Sequence, residues 1–141
     1  MAVEAGLGKT KKRVLVVDDE KVIATTLSLI LQAQGFEVEV AFGGMEAIET
    51  ARVFRPECVI SDVVMPDLNG IEAAIQIVQA LPRCKVILFS GQATATDLLT
   101  GARREGYDFP LLAKPVHPKD LIEKLRETIG QSRHSAEQAA D

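Results

Sequence analysis

Five polar side chains in this sequence stand directly after short apolar runs: Asp18 and Asp19 after VLVV, Asp62 in VISD, Ser90 in ILFS and Lys114 in LLAK. Brought to one place, three aspartates repel one another by kilocalories at intermediate dielectric, so they take up protons or hold a cation. An all-oxygen acidic set suits a hard divalent ion. With Asp19 and Asp62 as direct ligands and most other positions left to water, the coordination fits Mg²⁺ better than a caged Ca²⁺ or a softer metal. A metal beside a strand-end carboxylate, with one lysine and one hydroxyl aimed at the same spot, suits phosphoryl transfer. The metal and Lys114 would neutralise phosphoryl oxygens, Ser90 would donate a hydrogen bond to one, and Asp62 would be the nucleophile. Asp18 and Asp19 then form a metal half-site that Asp62 completes.

Taken singly, each residue has a plainer explanation. An Asp after a strand caps a helix, a Ser after a strand belongs to a turn, and a Lys before Pro is a solvated strand end. The chemistry therefore depends on elements that carry all of them to one rim.

Apolar runs of strand length recur at Val14 to Val17, Phe36 to Phe42 (more alternating), Cys58 to Ile60, Val86 to Phe89 and Leu111 to Ala113. Between and after them lie segments with helical spacing, marked by Ile23, Leu27, Ile30 and Leu31; by Met45, Ile48 and Ala51; and by Ile71, Ala74, Ile75 and Val78. Leu98, Leu99 and Ala102 mark a fourth, and Leu121, Ile122, Leu125 and Ile129 a fifth. Gly35, Pro56, Pro82 and Gly106 follow the first four, and Pro118 stands where the fifth begins. Alternating strands and helices with unbroken apolar strands predict a doubly wound α/β domain, its parallel sheet covered on both faces by right-handed crossovers. Ligands of such sheets gather outside the carboxyl ends of the strands, near the reversal of strand order. All five chemical side chains belong to that rim.

At 141 residues, 47% hydrophobic and 26% charged, the composition is that of one globular domain. The formal net charge of −4 offers no general attraction to nucleic acid or to an anionic membrane, so direct DNA binding is not expected. The N-terminus has no signal-peptide pattern and no run is long enough to span a bilayer, which leads to the expectation of a cytoplasmic chain. Residues 1–11 and 131–141 lack apolar periodicity and are expected to be disordered tails around a folded unit at 12–130. Cys58 and Cys84 have no metal or redox spacing and are expected to be free, buried thiols. GLGKT at residues 6–10 lacks the first glycine and the preceding strand of a phosphate loop. His117 is expected at the start of the last helix, and His134 in the tail.

VLVVDDE, VISDVVMPDLNG, ILFSGQ and LLAKPV, in that order and spacing, resemble the receiver domains of two-component response regulators over roughly Lys12 to Ile129. The resemblance implies a flavodoxin-like (βα)5 sheet of order 2-1-3-4-5. It also implies that Asp62 accepts a phosphoryl group from a histidine kinase or phosphotransfer protein with Mg²⁺ bound. Asp18 and Asp19 match the family's acidic pair, Val64 the position whose backbone carbonyl adds a metal ligand, Ser90 the switch hydroxyl and Lys114 the phosphoryl-pairing lysine. The family's Lys-Pro bond is commonly cis. Leu111 stands where the switch aromatic is usual, with Tyr107 and Phe109 just upstream, and Asn69 stands for the common Asp. Val64 and Gln92 occupy positions that tune access of hydrolytic water in relatives. With no output domain following, a stand-alone receiver is expected. It would be a signalling phosphoacceptor rather than a turnover enzyme, acting on a downstream protein through its fourth helix, fifth strand and fifth helix. The alternative on the same fold is a phosphorylation-independent interaction module.

Overall fold

In the computed structural model, which describes residues 11–91 and 95–140, five strands alternate with five helices. The strands are β1 (Arg13–Val17), β2 (Glu37–Ala41), β3 (Cys58–Asp62), β4 (Lys85–Ser90) and β5 (Leu111–Ala113). The helices are α1 (Lys21–Ala33), α2 (Gly44–Phe54), α3 (Gly70–Ala80), α4 (Ala95–Arg104) and α5 (Pro118–Ala140). All strand pairs are parallel, and the order is β2-β1-β3-β4-β5, as expected. The last helix continues through residues that the sequence reading gave to a disordered tail.

The strand sequences explain their places. Val14 to Val17 of β1 are fully buried, β3 is buried throughout, and β4 is exposed only at Lys85, so continuous apolar runs fill the centre. The alternating EVEVA of β2 lies at one edge, where one face of each residue pair meets water. β5 forms the other edge, and Pro110, which has no N–H to donate, precedes it while its carbonyl accepts from Leu88 N. Alternation sorts the core into two layers. Val14, Val16, Ile60, Ile87 and Phe89 pack with Leu31, Leu121 and Leu125 of α1 and α5. Leu15, Val17, Val59 and Leu88 pack with Ala47, Ile48, Ile71, Ile77 and Leu99 of α2, α3 and α4. Each fully buried Leu or Ile here contributes roughly 2–3 kcal/mol.

Helix ends follow local chemistry. Gly35 takes φ +97°, and its N–H and that of Phe36 donate to Gln32 O and Leu31 O. Phe36 and Leu31 then share the core, which closes α1 in a Schellman turn that only glycine enters without cost. At α5, His117 Nδ1 accepts from Lys119 N and Pro118 occupies the first helical position, so His117 begins the helix as expected. α2 ends differently, on Arg55 with φ 53° and ψ 63°, a left-handed conformation that costs an L-residue roughly 1–2 kcal/mol. Arg13 Nε donates to the carbonyls of Phe54 and Arg55 and holds that turn. Both cysteines are free and buried, as expected; burial holds the Cys58 thiol far above its ordinary value and pushes Cys84 up to about 12, so both are inert.

Candidate functional site

Register places the chemistry. Val17 pairs with Ser61 and Asp62 with Phe89, so Asp18 and Asp62 leave β1 and β3 side by side, at the reversal of strand order. Ser90 pairs with Ala113, and Lys114 follows on β5. Oxygen atoms of Asp18, Asp19 and Asp62 all lie within 4.8 Å of one another. Lys114 Nζ stands 3.4 Å from Asp18 Oδ2 and 3.4 Å from Asp62 Oδ2, bridging the two strand ends. The Lys114–Pro115 peptide is cis, matching the family habit.

The two oxygens of Asp18 have separate work. Oδ1 accepts from Glu20 N at 2.8 Å, the local turn that starts α1, while Oδ2 faces Lys114. The plain explanation for Asp18 is thus a local turn rather than a helix cap, since no side chain caps α1, and it leaves Oδ2 facing the cleft side of the sheet's rim with Lys114. Asp18 is fully buried, and Asp62 and Ser90 are buried too. Burial raises the Asp18 carboxyl above its ordinary value against the hydrogen bond from Glu20 and the charge of Lys114. Burial likewise raises Asp62, with Lys114 opposing. Burial alone would lower Lys114, but the charges of Asp62 and Asp18 overcome it and hold the ammonium above its ordinary value. One lysine therefore leaves the acidic set short of neutral, and a divalent cation fits the donors: three carboxylates, all oxygen, opening on a cleft of about 650 Å³. Asp19, Glu20, Val64 and Gly91 line that cleft, so Val64 stands at the site as its motif position implies. Gln92 lies outside the described residues.

Four residues joined the site without being singled out in the sequence. Glu20 Oε1 is 4.0 Å from Lys114 Nζ, and the Phe89 ring lies 4.9 Å beneath the same ammonium. Gly70 opens α3 against the backbone of Asp62. Asp67, in the loop that carries Val64, accepts from Gly44 N at 3.1 Å and Met45 N at 3.0 Å, tying the loop to the start of α2. Asn69 accepts from Glu72 N and caps α3, a task Asp or Asn performs equally, which accounts for that departure. Leu111 is half-buried against the α2–α4 layer. Beside it Phe109 is buried and stacks on Tyr107, whose hydroxyl accepts from Gln79 Nε2.

The Met45 hydrogen bond is the main cause that holds the Asp67 carboxyl below its ordinary value. Its ionised form therefore stabilises the fold above the unfolded value, and that contribution is lost as pH falls through the lower folded value. Asp67→Ala should lower stability by about 0.5–1 kcal/mol, since the site is exposed. In urea titrations the gap from the wild type should close below about pH 4; a gap that persists in acid refutes the capping role.

A doubly wound five-stranded parallel sheet with an acidic cluster and a lysine at its switch point defines a class of phosphoacceptor-type folds. The chain belongs to the response regulator receiver domain family, whose model matches residues 14–126. It is 33% identical over 119 residues to the transcriptional regulatory protein CreB of Escherichia coli, covering 84% of this chain and 51% of CreB. It is 28% identical over 119 residues to the DNA-binding response regulator MtrA of Mycobacterium tuberculosis, with the same coverage. The chain thus spans about half the length of these relatives. Among solved structures, a CheY-like receiver domain from Methanospirillum hungatei superimposes with a TM-score of 0.80 at 28% identity, covering 89% of this chain and 99% of that one. The chemotaxis protein CheY4 of Vibrio cholerae gives 0.75 at 28% identity, with 84% and 99% covered. Among the described residues no helix is long and apolar enough to cross a membrane.

Proposed function

We propose that this receiver takes a phosphoryl group on Asp62 from the phosphohistidine of a sensor kinase or phosphotransfer protein, with Mg²⁺ held by Asp18, Asp19, Asp62 and the carbonyl of Val64. The convergence of three carboxylates at the switch point, two of them bridged by Lys114, carries this reading. An Asp62 Oδ–P bond forms as the P–N bond of the donor breaks, and the leaving imidazole takes its proton from solvent. Bound Mg²⁺ supplies charge neutralisation at the phosphoryl oxygens. Lys114 neutralises another, at the cost of loosening its bond to Asp62, and Ser90 donates to a third. The reaction leaves the domain modified once, a signalling event rather than turnover.

The buried acids give the metal a thermodynamic signature. Because folding raises their carboxyl values, ionisation opposes folding as pH rises through those values, and a bound cation relieves the opposition. Magnesium at tenfold its dissociation constant should add about 1.4 kcal/mol, a rise in Tm of roughly 4–6 °C. Asp18→Asn should abolish that rise, and a variant that keeps it would remove Asp18 from the metal set.

Phosphorylation should draw Ser90 inward, shift the segment after β4 and alter the surface of α4, β5 and α5, where a downstream protein would read it. Amide exchange at residues 91–113, with and without beryllofluoride and Mg²⁺, tests this. Slower exchange there is the expected result, and identical protection in both states counts against it.

A further inference from the structure

The end of the sheet opposite the acidic cleft carries a second cavity of about 480 Å³, where Arg13, Arg55 and Arg83 meet Pro56, Leu81 and Pro82. Arg13 is engaged, by the carbonyls that end α2 and by Glu57 at 3.9 Å. Arg55 and Arg83 are exposed and, among the described residues, have no acidic partner. Lys12 precedes β1 and Lys85 opens β4 at the same end, where Glu37 opens β2 and Glu57, itself in the cavity wall, pairs with Arg13, so around this cleft cations outnumber acids on a chain whose net charge is −4. Arg55 also sits in the left-handed conformation that glycine would enter freely. The turn is held by backbone and by Arg13, through Arg55 N to Ala51 O and the two carbonyl bonds. Among the described residues the Arg55 guanidinium makes no hydrogen bond or ion pair, yet a side chain stands where it is strained, a pattern that points to work done outside the fold.

We infer that this cleft docks an acidic segment of a partner protein, carboxylates pairing with Arg55 and Arg83 and an apolar side chain seated against Pro56, Leu81 and Pro82. The planar forks of arginine bind carboxylates in pairs of hydrogen bonds, and an apolar centre with a charged rim is the make-up of a protein interface. Nucleic acid fits less well, because phosphate binding is driven by many cations and gains little from an apolar lining. The inference stands independently of the chemistry at Asp62.

A fluorescein-labelled peptide of alternating glutamate and leucine is the probe, with a glutamine-for-glutamate peptide and a short DNA duplex as comparisons. Anisotropy should show saturable binding of the acidic peptide, with amide shifts confined to residues 52–57 and 81–85. The double variant Arg55→Gly, Arg83→Gln should bind about tenfold more weakly or worse. Arg55→Gly alone should melt at or above the wild-type temperature, which separates lost docking from lost folding. Both variants should label at Asp62 at the wild-type rate. Equal binding of the glutamine peptide, undiminished binding by the double variant, or tighter binding of the duplex than of the acidic peptide would each overturn the inference.

Discussion

Asp62→Asn should abolish the uptake of acid-stable, base-labile label from a phosphodonor in the presence of Mg²⁺, with the rate expected to fall by at least about a thousandfold. The substitution keeps the shape of the side chain and removes its charge, which serves as nucleophile and as one of the metal's carboxylates. Lys114 keeps Asp18 at 3.4 Å as a partner, so the ammonium is not stranded. Burial raises the Asp62 carboxyl, which means its ionised form opposes folding above the folded value and makes no contribution below the unfolded one. The neutral amide escapes that penalty, and the variant should melt at or slightly above the wild-type temperature near neutral pH. Lost labelling with kept stability separates a missing nucleophile from a damaged fold. Wild-type labelling by the Asn variant would move the acceptor to another residue.

What the sequence made legible was whatever follows from an apolar run and the residue that ends it. Asp18, Asp62, Ser90 and Lys114 each close such a run, and parallel pairing in register leaves their ends no choice but one rim. Contacts that depend on the path of a loop were not legible. Asp67 reaches Gly44 and Met45 across more than twenty residues because the β3–α3 loop folds back over α2, and nothing in MPDLNG announces that partner. Phe89 reads as one more apolar residue of β4; its place beneath Lys114 follows from strand parity together with the turn after β5. The run of α5 to Ala140 was not legible either, since a polar stretch without apolar periodicity carries no sequence signal for a helix.

Gly70→Ala and Gly101→Ala, the same change on neighbouring helices, should act in opposite directions. A Cβ at Gly70 would collide with the carbonyl oxygen of Asp62 and approach Ser61 Oγ to 2.9 Å and the Asp62 carbonyl carbon to 3.0 Å. None of these can retreat cheaply. β3 lies in the interior of the sheet, Ser61 Oγ donates to that same carbonyl at 2.8 Å, and Gly70 N is bonded to Val63 O at 2.7 Å. The start of α3 must lift away, breaking the last bond and moving the backbone of Asp62 itself. A cost of about 3 kcal/mol or more, seen as a fall in Tm of about 10 °C, should come with slower labelling at Asp62. At Gly101, on the exposed face of α4, no atom of the described residues beyond the helix's own neighbouring backbone lies within 4 Å of the added carbon, and alanine should raise stability by about 0.5–1 kcal/mol through helix propensity alone. If Gly70→Ala unfolds within about 1 kcal/mol of the wild type, then α3 has room to move, and the close approach that fixes Asp62 in place is not what holds the site together.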